Sequence, residues 1–455
     1  MVWKPAGLNQ TDAWSTEFST GFGLLPTMIA AEGIVGTTLW ILLLVFLGIA
    51  IARSLKSLPE DPYSRFVTVS SSISSIFLWI VAILYVPSQA MFFMAFLMAG
   101  IFAAAAVSNG ILSVKKIAPV SSIMKNIIMP ALFVICIIIA VLWALIYVKK
   151  TIALVYFSSG VRSLTVGQDF KAADLAFNTA LSFDKSDVYW EALSENYRLN
   201  INQLISTATS SSPALVTKVT DMINSGVSAA RSAIAYDPSN YYNYLSEARI
   251  SQLAVSIKTA NAYENAVQAY TNAINLDPTN PALYVNLAQL QADNSKLDDA
   301  LKTLGTAIQV KSNYLDAVFL ISQVQAAKGD LPNAIVAAQI ATQINSNSAV
   351  LYFQLGLLQY NAKNYQPAVD ALSKAVSIQP DYANARYFLG LSEARVNDIA
   401  GAIAQFEELS KTNPDSKEIA LILNNLRAGK SPFTDAKPPV TATPEKRAAL
   451  PVKER

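Results

Sequence analysis

The chain has no histidine, a single cysteine and few charged residues. Without histidine there is no imidazole acid, base or metal ligand, and no Ser–His or Cys–His nucleophile pair. Cys136 lies in an apolar run and has no second cysteine to pair with, so no intrachain disulfide forms and redox compartment stays open. Charged residues make up 15% of the 455 positions and hydrophobic ones 53%, whereas a soluble domain carries about 25% charged residues. The net charge of +2 exerts no strong pull toward nucleic acid or anionic surfaces, and no nucleic-acid partner is expected. Gly429-Lys430-Ser431 has the end of a phosphate loop, but a Walker A motif needs glycine at 424 and Asn424 stands there. No catalytic residue, metal ligand or cofactor motif can be named, so no cofactor is expected.

What is present falls into two parts, consistent with the two or three units that this length suggests. Residues 33–52 carry no charge, residues 66–114 carry none over a stretch long enough for two spans, and residues 126–148 carry none. A transmembrane helix needs about 20 such residues, so four spans are expected, at about 33–52, 66–86, 89–110 and 126–148. The turn Val86-Pro87-Ser88-Gln89 divides the middle pair, since proline ends one helix and admits the next. Arg53, Lys56 and Arg65 lie between spans one and two, and Lys115, Lys116 and Lys125 between spans three and four. Lys4, Lys149 and Lys150 lie on the other side. Six basic residues against three put both longer loops inside. An integral cytoplasmic-membrane protein follows, with residues 1–23 and everything after 150 outside. Within the spans there is no ionisable residue, which argues against a transporter.

The segment 11–47, with Trp14, Phe18, Pro26 and Glu32-Gly33-Ile34-Val35-Gly36, resembles the last extracytoplasmic loop and following span of O-antigen ligase and polymerase-like glycan membrane proteins. The resemblance is close over about residues 1–55 and loose over the other spans. It implies the carboxy-terminal part of such an enzyme, with glycan-assembly machinery as a partner. Members of that group have more spans and a catalytic loop, often with an essential histidine, and this sequence has neither. An ordinary amphipathic segment leading into a span is the alternative.

Beyond the spans the sequence repeats. Units begin at 281, 315, 349 and 383, each 34 residues after the last. Within them, Leu287, Ile321, Leu355 and Leu389 hold the seventh place, and Ala288, Ser322, Gly356 and Gly390 the eighth. Ala300, Ala334, Ala368 and Ala402 hold the twentieth, while Leu304, Ala338, Leu372 and Phe406 hold the twenty-fourth. Pro380 and Pro414 close their units. A period of about 34 with two helices is the mark of tetratricopeptide repeats, which this region resembles. Looser units extend upstream: one at 241–280 keeps Ala266, Tyr270 and Ala273, and one from 187 keeps Trp190 and Leu193. Another around 153–186 keeps Gly160, Phe170 and Phe177. The expected fold is all-α: four transmembrane helices, then a solenoid of about seven helix pairs over 153–428, capped by residues 417–428. Residues 429–455 hold five prolines and mixed charge and are expected to be disordered.

A helical solenoid presents a curved inner face to partners. The resemblance implies that places 2, 5, 9, 12 and 13 of each repeat line it. Carried over, these are Tyr242, Arg249, Gln289, Asp293, Phe319, Gln323, Phe353, Tyr360, Asn361, Tyr387 and Arg395. Rings beside amides and few charges suit a protein or peptide segment or another extended polar polymer. The same aromatics could instead seal neighbouring repeats against each other. The clustered lysines and arginines of a two-carboxylate clamp are missing. Two functions therefore stand: a membrane-anchored scaffold binding a protein or peptide, or the tail of a glycan ligase or polymerase whose catalytic spans lie upstream.

Overall fold

The computed structural model describes residues 24–85, 89–112, 127–208, 212–436, 443, 444, 447 and 450–452. Among these residues all regular structure is helical. The chain forms two compact units that part between Trp143 and Ala144.

The first unit holds α1 (Leu24–Lys56), α2 (Pro62–Leu84), α3 (Gln89–Ser108) and the opening turns of α4 (Met129–Arg162). Four segments are long and apolar enough to cross a membrane: Gly33–Lys56, Pro62–Leu84, Ala90–Ser108 and Met129–Gly167. These overlap the four expected spans, while the expected outer segment 1–23 lies outside the described residues. Gly33, at φ 69° and ψ −173°, breaks α1 into two helical pieces. Only glycine adopts that backbone without a steric cost. Asp61 then caps α2 by accepting from the Ser64 amide at 2.8 Å, with Pro62 in the first turn.

Helix α2 buries Thr68, Ser71, Ser72 and Ser75, a spacing that puts four small side chains on one face. Small residues let neighbouring helices approach closely where no hydrophobic force separates helix from lipid. Ser71 and Ser72 donate to the carbonyls of Val67 and Thr68 at 2.6 Å, so their hydroxyls are satisfied within the helix. Asn109 reaches Thr68 Oγ1 at 3.2 Å. Trp79 closes the other end of the seam, edge-on to Phe96 at 5.2 Å and tilted against Trp40 at 6.0 Å.

The second unit is a run of helix pairs. The end of α4 pairs with α5 (Phe170–Phe183), then α6 (Asp187–Thr207) with α7 (Pro213–Tyr236), and α8 (Tyr241–Ser256) with α9 (Ala262–Leu276). The 34-residue units supply α10 (Pro281–Asp293) with α11 (Leu297–Val310) and α12 (Leu315–Ala327) with α13 (Leu331–Ile344). They also supply α14 (Ala349–Asn361) with α15 (Tyr365–Ile378) and α16 (Ala383–Arg395) with α17 (Ile399–Thr412), before α18 (Lys417–Arg427) ends the stack. These are seven pairs and a cap.

Local devices recur along the repeats. Asn240, Asn280, Asp330 and Asp398 cap their helices through side-chain oxygens on early amides. The turn inside each of the four 34-residue units passes through a left-handed residue at the fifteenth place: Ser295, Gly329, Lys363 and Asn397 all have positive φ. That single residue reverses the chain so the second helix folds back on the first. Contact between the two helices rests on the eighth and twenty-fourth places. A Cβ built on Gly356 would lie 2.5 Å from Leu372 Cγ, and one on Gly390 2.8 Å from Phe406 Cε2. Leu372 and Phe406 are fully buried there. In the first pair Gly160 meets Phe177 in the same way, at 2.6 Å.

An Ala at position 356 would gain about 0.5–1 kcal/mol of helix preference over Gly. Overpacking a filled core costs about 1–3 kcal/mol, and here the core side wins. Gly356→Ala is expected to lower stability by about 1–2 kcal/mol in urea unfolding of the micelle-held chain. Adding Leu372→Ala should make the double loss smaller than the sum of the single losses. Strict additivity would show that the two positions do not press on each other.

Candidate functional site

The first helices of the pairs carry the expected inner-face residues, and the structure sorts these into two groups. Tyr242 and Arg249 on α8, Gln289 and Asp293 on α10, Gln323 on α12 and Arg395 on α16 are exposed, while Phe319 and Asn361 are half-buried. Tyr242 stacks on Tyr241 with ring centres 4.1 Å apart. Gln289 Nε2 donates to Asp293 Oδ1 at 2.7 Å, and the Arg395 guanidinium lies 5.7 Å from the Tyr365 ring.

Phe353, Tyr360 and Tyr387 are interior residues and line no open groove, with 6%, 7% and 0% of their surface exposed. The sealing role wins for these three. Phe353 packs against Tyr382 at 5.0 Å and Phe388 at 6.2 Å, and Tyr360 lies edge-on to Phe388 at 5.6 Å. Tyr387 lies edge-on to Phe406 at 5.5 Å. Phe388, at the sixth place, is the residue that closes this seam.

The end of the chain supplies the rest of the cover. The tail beyond α18 departs from the expected disorder wherever it is described. Gly429, with φ 68°, turns the chain out of α18, and Lys430 donates to the Asn425 carbonyl at 2.8 Å. Asn425 Nδ2 donates to the carbonyls of Pro432 and Thr434 at 3.1 and 2.8 Å, which fixes the turn that follows. Further on, Pro444 and Val452 are buried. Val452 belongs to the apolar cluster that holds Phe353, Tyr360, Tyr387 and Phe388. Proline and mixed charge bias a free chain toward disorder, but specific partners in the repeats override that bias.

Two polar contacts define this end of the repeats. Asn384 uses both ends of its carboxamide on one residue: Nδ2 donates to the Val452 carbonyl at 2.8 Å, and Oδ1 accepts from the Val452 amide at 3.1 Å. Glu418 on α18 accepts both guanidinium nitrogens of Arg447 at 2.8 and 2.9 Å, and the Tyr387 hydroxyl as well. Burial first, then the Glu418 charge, pushes the Tyr387 phenol far above its usual range, so it stays a donor. A bidentate pair of this kind adds geometric selection to attraction. The arrangement holds the main-chain amide and carbonyl of one residue and one guanidinium. Among the described residues no cluster could hold a metal ion.

Asn384 occupies the second place of its repeat, so position alone could have singled it out. Glu418 sits in the capping helix and Arg447 in the tail, where no period operates. Glu393 is a further buried acid, 7% exposed, on the side of α16 facing α17. Burial first, and the Asp398 charge next, raise its pKa to about 7, while Gln405 and Arg386 oppose the rise.

Models of the TPR repeat match residues 260–295, and models of the tetratricopeptide repeat match residues 285–349 and 353–423. These residues carry tetratricopeptide repeats. Three solved structures illustrate the likeness. YrrB, described as a TPR protein with an unusual peptide-binding site, is 20% identical, with 43% of this chain and 97% of that chain covered at a TM-score of 0.35. The pilF protein of Pseudomonas aeruginosa is 17% identical, with 52% and 99% covered at 0.36. A tetratricopeptide repeat protein from Parabacteroides merdae is 11% identical, with 61% and 99% covered at 0.39. At these values the likeness is one of fold alone. No curated protein matches the sequence. The matched family models all fall within the repeats, and none supports the resemblance of residues 1–55 to glycan ligases.

Glu393 yields a pH test. Its carboxyl titrates near 4.5 when unfolded and near 7 when folded, so the folded chain holds the extra proton between those values. Its contribution is therefore full below about pH 4.5 and is lost as pH rises toward 7. At about 1.4 kcal/mol per pKa unit, the loss is on the order of 3 kcal/mol. Unfolding midpoints of the Glu393→Gln chain, subtracted from those of the parent, should reveal this downward slope. A flat difference between pH 4.5 and 7.5 would show that Glu393 titrates normally.

Proposed function

We propose that the chain is a membrane-anchored repeat scaffold that binds an extended segment of a protein partner along the inner face of its first helices. The observation that carries this reading is the row of outward hydrogen-bonding groups on successive first helices: Arg249 on α8, Gln289 and Asp293 on α10, and Gln323 on α12. Their neighbours at the seventh, eighth and twentieth places are spent on closing the interior, whereas these groups face outward, Gln289 and Asp293 bonded to each other. Amides and few charges pair with main-chain groups without demanding one partner charge.

Anchoring rests on the apolar surface of α1–α4. Leu132, Phe133, Trp143 and Tyr147 on α4 are all more than half exposed. Apolar surface of that extent is costly in water, at about 25 cal/mol per Å², and costs nothing against lipid tails. The basic residues between α1 and α2 and between α3 and α4 favour the inner side of the membrane, which puts the repeats outside.

Two measurements on native membranes test this reading. After alkaline carbonate washing the chain should stay in the pellet; release into the wash would remove the anchor. Photo-crosslinking side chains at Gln289 and Gln323 should give the same discrete adduct, while one at exposed Lys302 on α11 should give none. Equal adducts at all three positions would mean that the inner face is not the binding face.

A further inference from the structure

The residues that hold the tail form a more exacting site than the open inner face upstream. One residue of the tail, Val452, which lies in a bend, is gripped by its own amide and carbonyl through Asn384. Such a grip reads the main chain and any residue type can satisfy it. Selection comes from what surrounds it. The Val452 side chain is 5% exposed within the cluster of Tyr360, Tyr387 and Phe388, which suits a small aliphatic group. Five residues upstream, Arg447 lies in bidentate contact with Glu418, whose side chain is 13% exposed. A lysine would offer one point of charge there in place of the two parallel hydrogen bonds.

We propose that the inner face at α16 and α18 is a docking site for a peptide segment with an arginine five residues before a small aliphatic residue, and that the chain's own tail occupies it in cis and competes with such a partner. The proposal rests on the scaffold reading above and specifies one of its sites. A tethered segment meets its site at an effective concentration in about the millimolar range. A partner segment of the same pattern therefore binds only when it is tighter, more concentrated or multivalent. Bringing a partner into the site frees Arg447 and Val452, so occupancy and release of the tail are opposite states of one equilibrium.

The test uses the full chain in detergent micelles and a fluorescent synthetic peptide copying residues 443–455. Arg447→Glu with Val452→Asp alters the tail and leaves the repeats untouched. That double variant should bind the free peptide at least tenfold more tightly than the parent, whose site is filled. Adding Asn384→Ala to it should weaken binding at least tenfold, and so should replacing the peptide's arginine by alanine. A chain ending at Ala436 should bind the peptide like the double variant, with its helical signal and unfolding midpoint showing that the repeats remain folded. Equal binding by parent and double variant, or binding indifferent to Asn384 and to the peptide arginine, overturns the proposal. So does absence of binding by both opened chains. Adducts at Gln289 and Gln323 would persist in that event, leaving the scaffold reading standing while this one falls.

Discussion

The second unit depends on a void filled from across the pair: where one helix has no side chain, the next presents a large one. Leu372 and Phe406 lie against Gly356 and Gly390 so closely that a single added carbon would overlap them. Dispersion and burial act over such contacts only when surfaces meet without gaps. Each pair has little interior of its own, and its remaining apolar face is covered by the next pair along. Stability is thus passed from neighbour to neighbour, and a stack of this kind ends where a capping helix stops the sequence of exposed faces. α18 does so here, burying Ile419, Ile422 and Leu426.

Much of this was legible in the sequence because a period leaves the same mark at every turn. Alanine at four successive twentieth places and small residues at four eighth places cannot be read as one globular core. The charge-free runs were equally plain, since length and lack of charge are all that a span requires. The inner face was harder to read. Arg249, Gln289 and Gln323 are exposed, whereas Phe353, Tyr360 and Tyr387, chosen by the same place numbers, lie in the interior. A ring at the fifth place faces either a groove or the adjoining repeat, and which one depends on a neighbour, here Phe388. For the described tail residues composition was a poor guide: it gives a chain's preference in isolation, whereas Asn384, Asn425 and Glu418 are specific partners that composition does not count.

In this account the two ends of the repeat array have different chemistry. Around α8 to α12 the exposed first-helix groups are a tyrosine, amides, an arginine and an aspartate. At α16 and α18 an amide, a carboxylate and an aromatic cluster converge on Arg447 and Val452. Under the proposals above, the first surface tolerates and the second selects. The apolar helices of the first unit are long enough to cross a membrane, which under the proposed function would hold the repeats there.

The central claim is that neighbouring helices of a pair stand or fall together. Native-state hydrogen exchange on the full chain in micelles measures this directly. The amides of α14 and α15 should open as one unit, with the same free energy, and Gly356→Ala should lower both by the same amount. If α14 loses protection while α15 keeps it, the interlocking of small and large residues is not what holds the stack.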